Sequence, residues 1–142
     1  MTTIENRQAR HNYFIEDTLE CGISLRGNEV KSIAQGRASI KESWVAVESG
    51  ELVIKKMHIA KYSASNAFDV DEDRERKLLA HKKETAELER ASSQGGYTLI
   101  PLSVYFKNGK AKVLVGVCKG KHSFDKRESE KKRDAERRMK NY

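Results

Sequence analysis

Phe124 is followed directly by Asp125-Lys126-Arg127. That places a ring able to stack on a base beside charges able to meet phosphate. Ten Lys/Arg and five Asp/Glu lie between Lys119 and Tyr142, so this end carries most of the formal net charge of +7. Each phosphate that such a segment neutralises releases counterions whatever the base sequence, which makes a polyanion its natural partner. An anionic membrane surface also fits the charge. Other candidate chemistries are less complete. Glu20 and Glu29 could form a carboxylate pair, but nothing in the sequence sets an acid–base partner beside them, and Glu29 reads as a member of a surface ion pair. His11, His58, His81 and His122 lack ligand spacing, and Cys21 and Cys118 form no CxxC pair. The acids Asp69, Asp71, Glu72 and Asp73 lack the glycine and distal glutamate of a calcium loop. There is no P-loop, GxSxG or HExxH. These residues point to a binding protein rather than an enzyme, with no metal or cofactor.

A compact body must position that basic end. The chain has 142 residues, 37% hydrophobic and 35% charged, which suits one domain over residues 1–120 and a tail over 121–142. Residues 1–10 are polar and read as loosely held. Tyr13 to Leu25 reads as a strand, or two bent at Asp17 or Gly22. A short helix runs from Glu29 to Ala34, with Asn28 as cap and Gly36 as stop. Ser49-Gly50-Glu51 is turn chemistry between two apolar runs, and Lys61 to Asp73 reads as a long exposed loop. Strong helix formers predict a helix over Arg74 to Ala91, with Leu78, Thr85 and Leu88 on one face and Leu79 on its flank. Asn108-Gly109 then joins two strands. Ile100, Leu102, Val104 and Phe106 alternate on one, and Ala111, Val113, Val115 and Val117 on the other. Pro101 demands an edge or a bulge.

Five or six strands with two or three flanking helices predict a mainly β fold, an OB-like closed barrel. The tail has only a thin apolar stripe, Ala135, Met139 and Tyr142, and isolated helices of that length are marginal in water. It is expected to be disordered when free and to become helical on a polyanion. No window approaches a spanning helix and the N-terminus has no apolar signal core, which predicts a cytoplasmic location. No uncovered apolar stripe asks for a self-partner, so a monomer is expected.

Four stretches carry a resemblance: NRQARHNYFIEDTLECGISLRGNEVKSIAQG (6–36), RKLLAHKKE (76–84), GYTLIPLSVYFKNGKAKVLVGVCKGK (96–121) and DKRESEKKRDAER (125–137). Together they resemble the SsrA-binding protein family, the bacterial small protein B of trans-translation. The resemblance implies an OB-type barrel that binds the tRNA-like domain of transfer-messenger RNA and delivers it to stalled ribosomes for ribosome rescue and peptide tagging. It implies that Asn6, Arg7, Arg10, His11, Tyr13, Glu20 and Leu79 face that RNA. It also implies that the tail enters the decoding centre and mRNA channel of the small subunit as a helix. The family's tail motif falls on Gly120, Lys121, Asp125, Lys126 and Arg127. Phe124 stands where the family has His or Tyr, and Lys131, Lys132 and Arg133 add charge beyond it. The chain departs from the family pattern at Lys56-Met57-His58, usually Gly-Met-His, and at Lys61, where a proline is lost. The alternative left open is a general RNA chaperone on the same barrel.

Overall fold

The computed structural model describes residues 3–61 and 72–120. Nine strands and three helices follow in the order β1 (Ile4–Glu5), α1 (Arg7–Asn12), β2 (Tyr13–Ile23), α2 (Gly27–Ala34), β3 (Ala38–Ser39), β4 (Trp44–Glu48), β5 (Glu51–Lys55), β6 (His58–Ile59), β7 (Arg76–Leu79), α3 (Lys82–Ser93), β8 (Thr98–Lys107) and β9 (Lys110–Gly120). The architecture is mainly β.

The sheet runs β1-β8-β4-β5-β7-β2-β9, and β8 also pairs with β9. The pairings β8-β4-β5-β7-β2-β9 therefore return to β8 as a ring, every pair antiparallel. Two hairpins build it. Ser49-Gly50 and Asn108-Gly109 each have φ above zero at both positions, 53° and 76° in the first and 54° and 76° in the second. That is the turn geometry whose twist matches the strands it joins. Inside the ring, Cys21, Ile23, Val45, Leu52, Ile54, Leu78, Leu99, Val104, Val113, Val115 and Val117 form the main core. Ile33 of α2 and Leu88 and Ala91 of α3 close it.

A second, smaller cluster lies on the outer face: Ala9, Ile100, Leu102 and Cys118, with Tyr13, Ile15 and Leu114 packed against it. Two bulges create it, one between Ile15 and Asp17 in β2 and one between Pro101 and Ser103 in β8. An extra residue reverses which side chains face in. Ile15 thus points out while Leu19 and Cys21 point in. Ile100 and Leu102 point out while Val104 points in. The expected continuous alternation from Ile100 to Phe106 breaks at the bulge that Pro101 foreshadowed. Gly116 completes the outer cluster: a Cβ there would lie 2.8 Å from Leu102 Cδ1 and 2.9 Å from Cys118 Sγ. Only glycine lets Leu102 cross β9 at that point.

Three further expectations need correction. Residues 4–12 are not loose; they form β1 and α1. The helix expected from Arg74 starts only at Lys82, and Arg76–Leu79 is a strand instead. Lys77 pairs with Val53 and Leu79 with Gly22, so non-local pairing overrides the helix propensity of RKLL. The His81 N–H donates to Glu84 Oε1 at 3.1 Å and opens the helix there. Finally, Glu29 is not on the surface. It is 3% exposed and paired with Arg74 and Arg76. Its carboxylate also accepts the Arg26 N–H at 2.8 Å, so Arg26 rather than Asn28 precedes α2 as cap. The acidic run Asp69–Asp71 and the expected tail lie outside the described residues. Among the described residues, no helix is long and apolar enough to cross a membrane.

Candidate nucleic-acid interface

The outer cluster explains why a short polar helix stays in place. Ala9 is the only residue of α1 that is buried, and it seats on Ile100 and Leu102. Asn6 anchors the other end. Its side chain accepts the Ala9 N–H at 3.1 Å and donates to the carbonyls of Ile40 and Pro101 at 3.1 and 3.0 Å. It is 2% exposed. Asn6 was expected to face RNA; the structure places it beneath the helix instead, because a cap amide between two backbone segments satisfies them best from within. With Ala9 turned inward, Arg7, Arg10 and His11 are left exposed. Arg10 lies 3.9 Å from Glu5, both half-exposed, a loose pair that solvent screens. Tyr13 follows directly, half-buried against the outer cluster with part of its surface open.

The same outer face continues along β2 and its neighbours. Cys21 and Ile23 point inward, so Glu20 and Gly22 point outward. Leu79 pairs with Gly22, Gly22 with Lys112, and Lys112 with Tyr105. This gives one row of side chains across four strands. Leu79 lies over Gly22, where a Cβ would approach its own Cβ to 3.3 Å. It is 52% exposed, a large apolar side chain offered to solvent. The sequence thus placed Leu79 in the wrong element, though as an exposed side chain. In the next row, Glu20 accepts from the Tyr105 hydroxyl at 2.5 Å and from Lys107 Nζ at 3.4 Å. The Tyr105 hydrogen bond, helped by Lys107 and Lys112, holds the Glu20 carboxyl below its usual range. Burial first, then Glu20, pushes the Tyr105 hydroxyl up to about 12. Glu20 is therefore an anion at neutral pH, and Tyr105 keeps the proton it donates.

Tyr105, Lys107 and Lys112 were missed by sequence reasoning. They were findable: once Asn108-Gly109 fixes the turn, Lys107 must face Lys110 and Tyr105 must face Lys112. Because Glu20 is exposed and bonded only to side chains with open surface, Glu20→Ala should leave the melting temperature within a few degrees of the parent. Binding of a structured RNA on this face should fall about tenfold, the size of one charge-assisted hydrogen bond. A large loss in thermal melting would mark Glu20 as a fold residue.

Burial pushes the Cys21 thiol up to about 11 and the Cys118 thiol up to about 12, so neither is a thiolate nucleophile at neutral pH. Among the described residues, no group of His, Cys, Asp and Glu gathers as a metal ion would require. The face offers guanidinium groups on a helix, an aromatic ring, an exposed leucine and a held carboxylate. At one edge Tyr13 pairs with Gly120, the last described residue. Lys119 lies 5.7 Å from the centroid of the Tyr97 ring beside it. Lys121, Phe124, Asp125, Lys126, Arg127, Lys131, Lys132 and Arg133 lie outside the described residues.

A ring of antiparallel strands with such a face defines a β-sheet protein built for a polyanionic partner. The family described as SmpB protein matches residues 3–142, and the chain belongs to that family. An SsrA-binding protein of Clostridium botulinum (strain Eklund 17B / Type B) is 55% identical over 128 residues, 90% of this chain and 82% of the relative. One from Clostridium beijerinckii is 52% identical over 140 residues, 96% of this chain and 90% of the relative. Among solved structures, a chain from "tmRNA-SmpB: a journey to the center of the bacterial ribosome" is similar with a TM-score of 0.74 and 44% identity. That match covers 98% of this chain and 97% of the other.

Proposed function

We propose that this protein binds the tRNA-like domain of transfer-messenger RNA and delivers it to stalled ribosomes in trans-translation. Family membership and the likeness to a chain of a tmRNA-SmpB structure support the reading. The observation that carries it is the arrangement of exposed Arg7, Arg10 and His11 on α1 beside Tyr13, continuous with Glu20 and Leu79 on the same outer face. Arg7 and Arg10 contact phosphate, and Tyr13 offers a ring edge to a base or sugar. Leu79 packs on an exposed base or ribose, while Glu20 accepts from a base edge. Asn6 acts from below by holding α1 in place.

In this reading the ring of strands is an OB-type closed barrel over residues 1–120. Residues 121–142 form a separate tail that takes its helical shape in the decoding centre and mRNA channel. There Gly120, Lys121, Phe124, Asp125, Lys126 and Arg127 make the contacts, and Lys131, Lys132 and Arg133 neutralise rRNA phosphates. The protein acts as a cytoplasmic monomer, and its work is binding and delivery, with no cofactor.

The test is to purify the protein from bacterial cells expressing it and sequence the RNA that comes with it. One dominant species with a tRNA-like end is the expected result, reduced at least tenfold by Arg7→Ala with Arg10→Ala. A broad mixture of RNAs at similar abundance would overturn the reading in favour of a general RNA chaperone.

A further inference from the structure

A second exposed aromatic group lies elsewhere on the ring. Trp44, the only tryptophan, is 38% exposed at the start of β4. Its neighbour Val45 points into the core, so Trp44 points outward. In the ring of pairings β4 is three strands from β2 in either direction. Trp44 therefore lies across the ring from Glu20 on β2. The ammonium of Lys56 sits 5.9 Å from the centroid of its ring.

The backbone under that ammonium is strained. Lys56 has φ of 57°, a left-handed conformation that a side chain rarely adopts. Among the described residues, the other two non-glycine residues with positive φ, Ser49 and Asn108, are explained by hairpin turns. Lys56 is not in such a turn. Its carbonyl accepts from the hydroxyl of buried Ser43 at 3.0 Å, which holds the strained peptide in place. A glycine would sit there without strain, yet the chain carries lysine. Strain held by its surroundings is the observation from which a function is inferred. Lys56 also lines a hollow of about 530 Å³ with Ser39, Lys41, Glu42, His58 and Asp73. His58 Nδ1 lies 2.9 Å from Asp73, so that carboxylate is engaged, while Lys56 holds its ammonium over Trp44 and Lys41 lines the adjoining hollow.

We propose that Trp44, Lys56 and Lys41 form a second RNA contact that takes one unpaired nucleotide, with its base on the indole and its phosphate between the two lysines. Base–aromatic stacking is tolerant of sequence, so any single-stranded stretch reaching this side qualifies. The inference rests on the reading that the partner is RNA, and it adds a site on a different strand from Glu20 and Leu79.

Because Trp44 is the only tryptophan, its emission reports the site directly. The full chain is titrated with short oligoadenylate, with inorganic polyphosphate as the control for charge alone. Oligoadenylate should quench Trp44 emission, and polyphosphate should not. Lys56→Gly relieves the backbone, so its melting temperature should be no lower, while its affinity for oligoadenylate should fall several-fold. Absence of quenching by oligoadenylate, equal quenching by polyphosphate, or unchanged affinity in Lys56→Gly would each overturn the proposal. Arg7→Ala with Arg10→Ala should leave the oligoadenylate quenching intact while reducing capture of transfer-messenger RNA. Quenching that persists in a chain capturing no dominant RNA would sink the delivery role and spare this site.

Discussion

Replacing Arg76 by Met should lower the stability of the protein by about 3–5 kcal/mol, because it strips a buried carboxylate of its main partner. The Arg76 side chain is fully buried. Its Nε and Nη2 donate to Glu29 Oε2 at 2.9 and 2.6 Å, and Nη2 also reaches the Glu72 carbonyl at 3.1 Å. Nη1 donates to the Met57 carbonyl. One guanidinium thus ties α2, β7 and the segment before β6 together. Without it Glu29 keeps the Arg26 N–H and the half-buried Arg74, and two carbonyls lose their donor. The melting temperature should fall on the order of 10–20 °C. Adding Glu29→Leu to Arg76→Met should recover part of the loss, since two apolar groups leave no stranded charge. A single Arg76→Met variant as stable as the parent in urea unfolding would show the network to be energetically idle.

The same network sets an acid limit. Burial pushes the Glu29 carboxyl up, but the Arg26 N–H with Arg74 and Arg76 outweighs it, and the net displacement is downward. A carboxyl held lower in the folded state than in the unfolded chain stabilises fully above its ordinary value of 4.5. That contribution is lost as pH falls through the folded value. In Arg76→Met the carboxyl is held down less, so acid should remove a smaller share of the remaining stability, visible as a flatter pH dependence in melting curves taken across the acid range.

The second large effect concerns function. A chain ended at Gly120 should still capture transfer-messenger RNA, yet peptide tagging on stalled ribosomes should vanish. The cut removes nine Lys/Arg and five Asp/Glu. It spares every described residue of α1, β2 and β7, and the pairing of Gly120 with Tyr13. The salt slope of binding should therefore change by no more than about one unit. Replacing Asp125, Lys126 and Arg127 together by Ala should act like the truncation. Lost RNA capture after either change would end the proposed division of labour.

The two hairpins were legible because turn chemistry is local: Ser49-Gly50 and Asn108-Gly109 need only their own backbone. The outward direction of Leu79 was legible although its element was not. Arg76–Leu79 is made of helix formers, and only its pairing with β5 and β2 makes it a strand. Such contacts leave no local trace. Glu29 was hidden for the same reason, its partners lying 45 and 47 residues away. The helix α1 could have been found from Asn6 as a cap before RQARHN, but its polarity concealed it, since one alanine does the seating. The bulge in β8 was signalled by Pro101, while its consequence, an outer cluster under α1, needed the third dimension.

Tyr13 and Gly120 share a rung at the end of the sheet, and Tyr13 also terminates α1. Neighbouring strands lie about 4.8 Å apart. Residue 121 therefore starts a fixed, short step from the helix that carries Arg7 and Arg10. Whatever docks on that helix fixes the point from which residues 121–142 set out, and 22 residues of any backbone span at most about 75 Å. The placement of one ligand then defines the sphere within which the other can be probed.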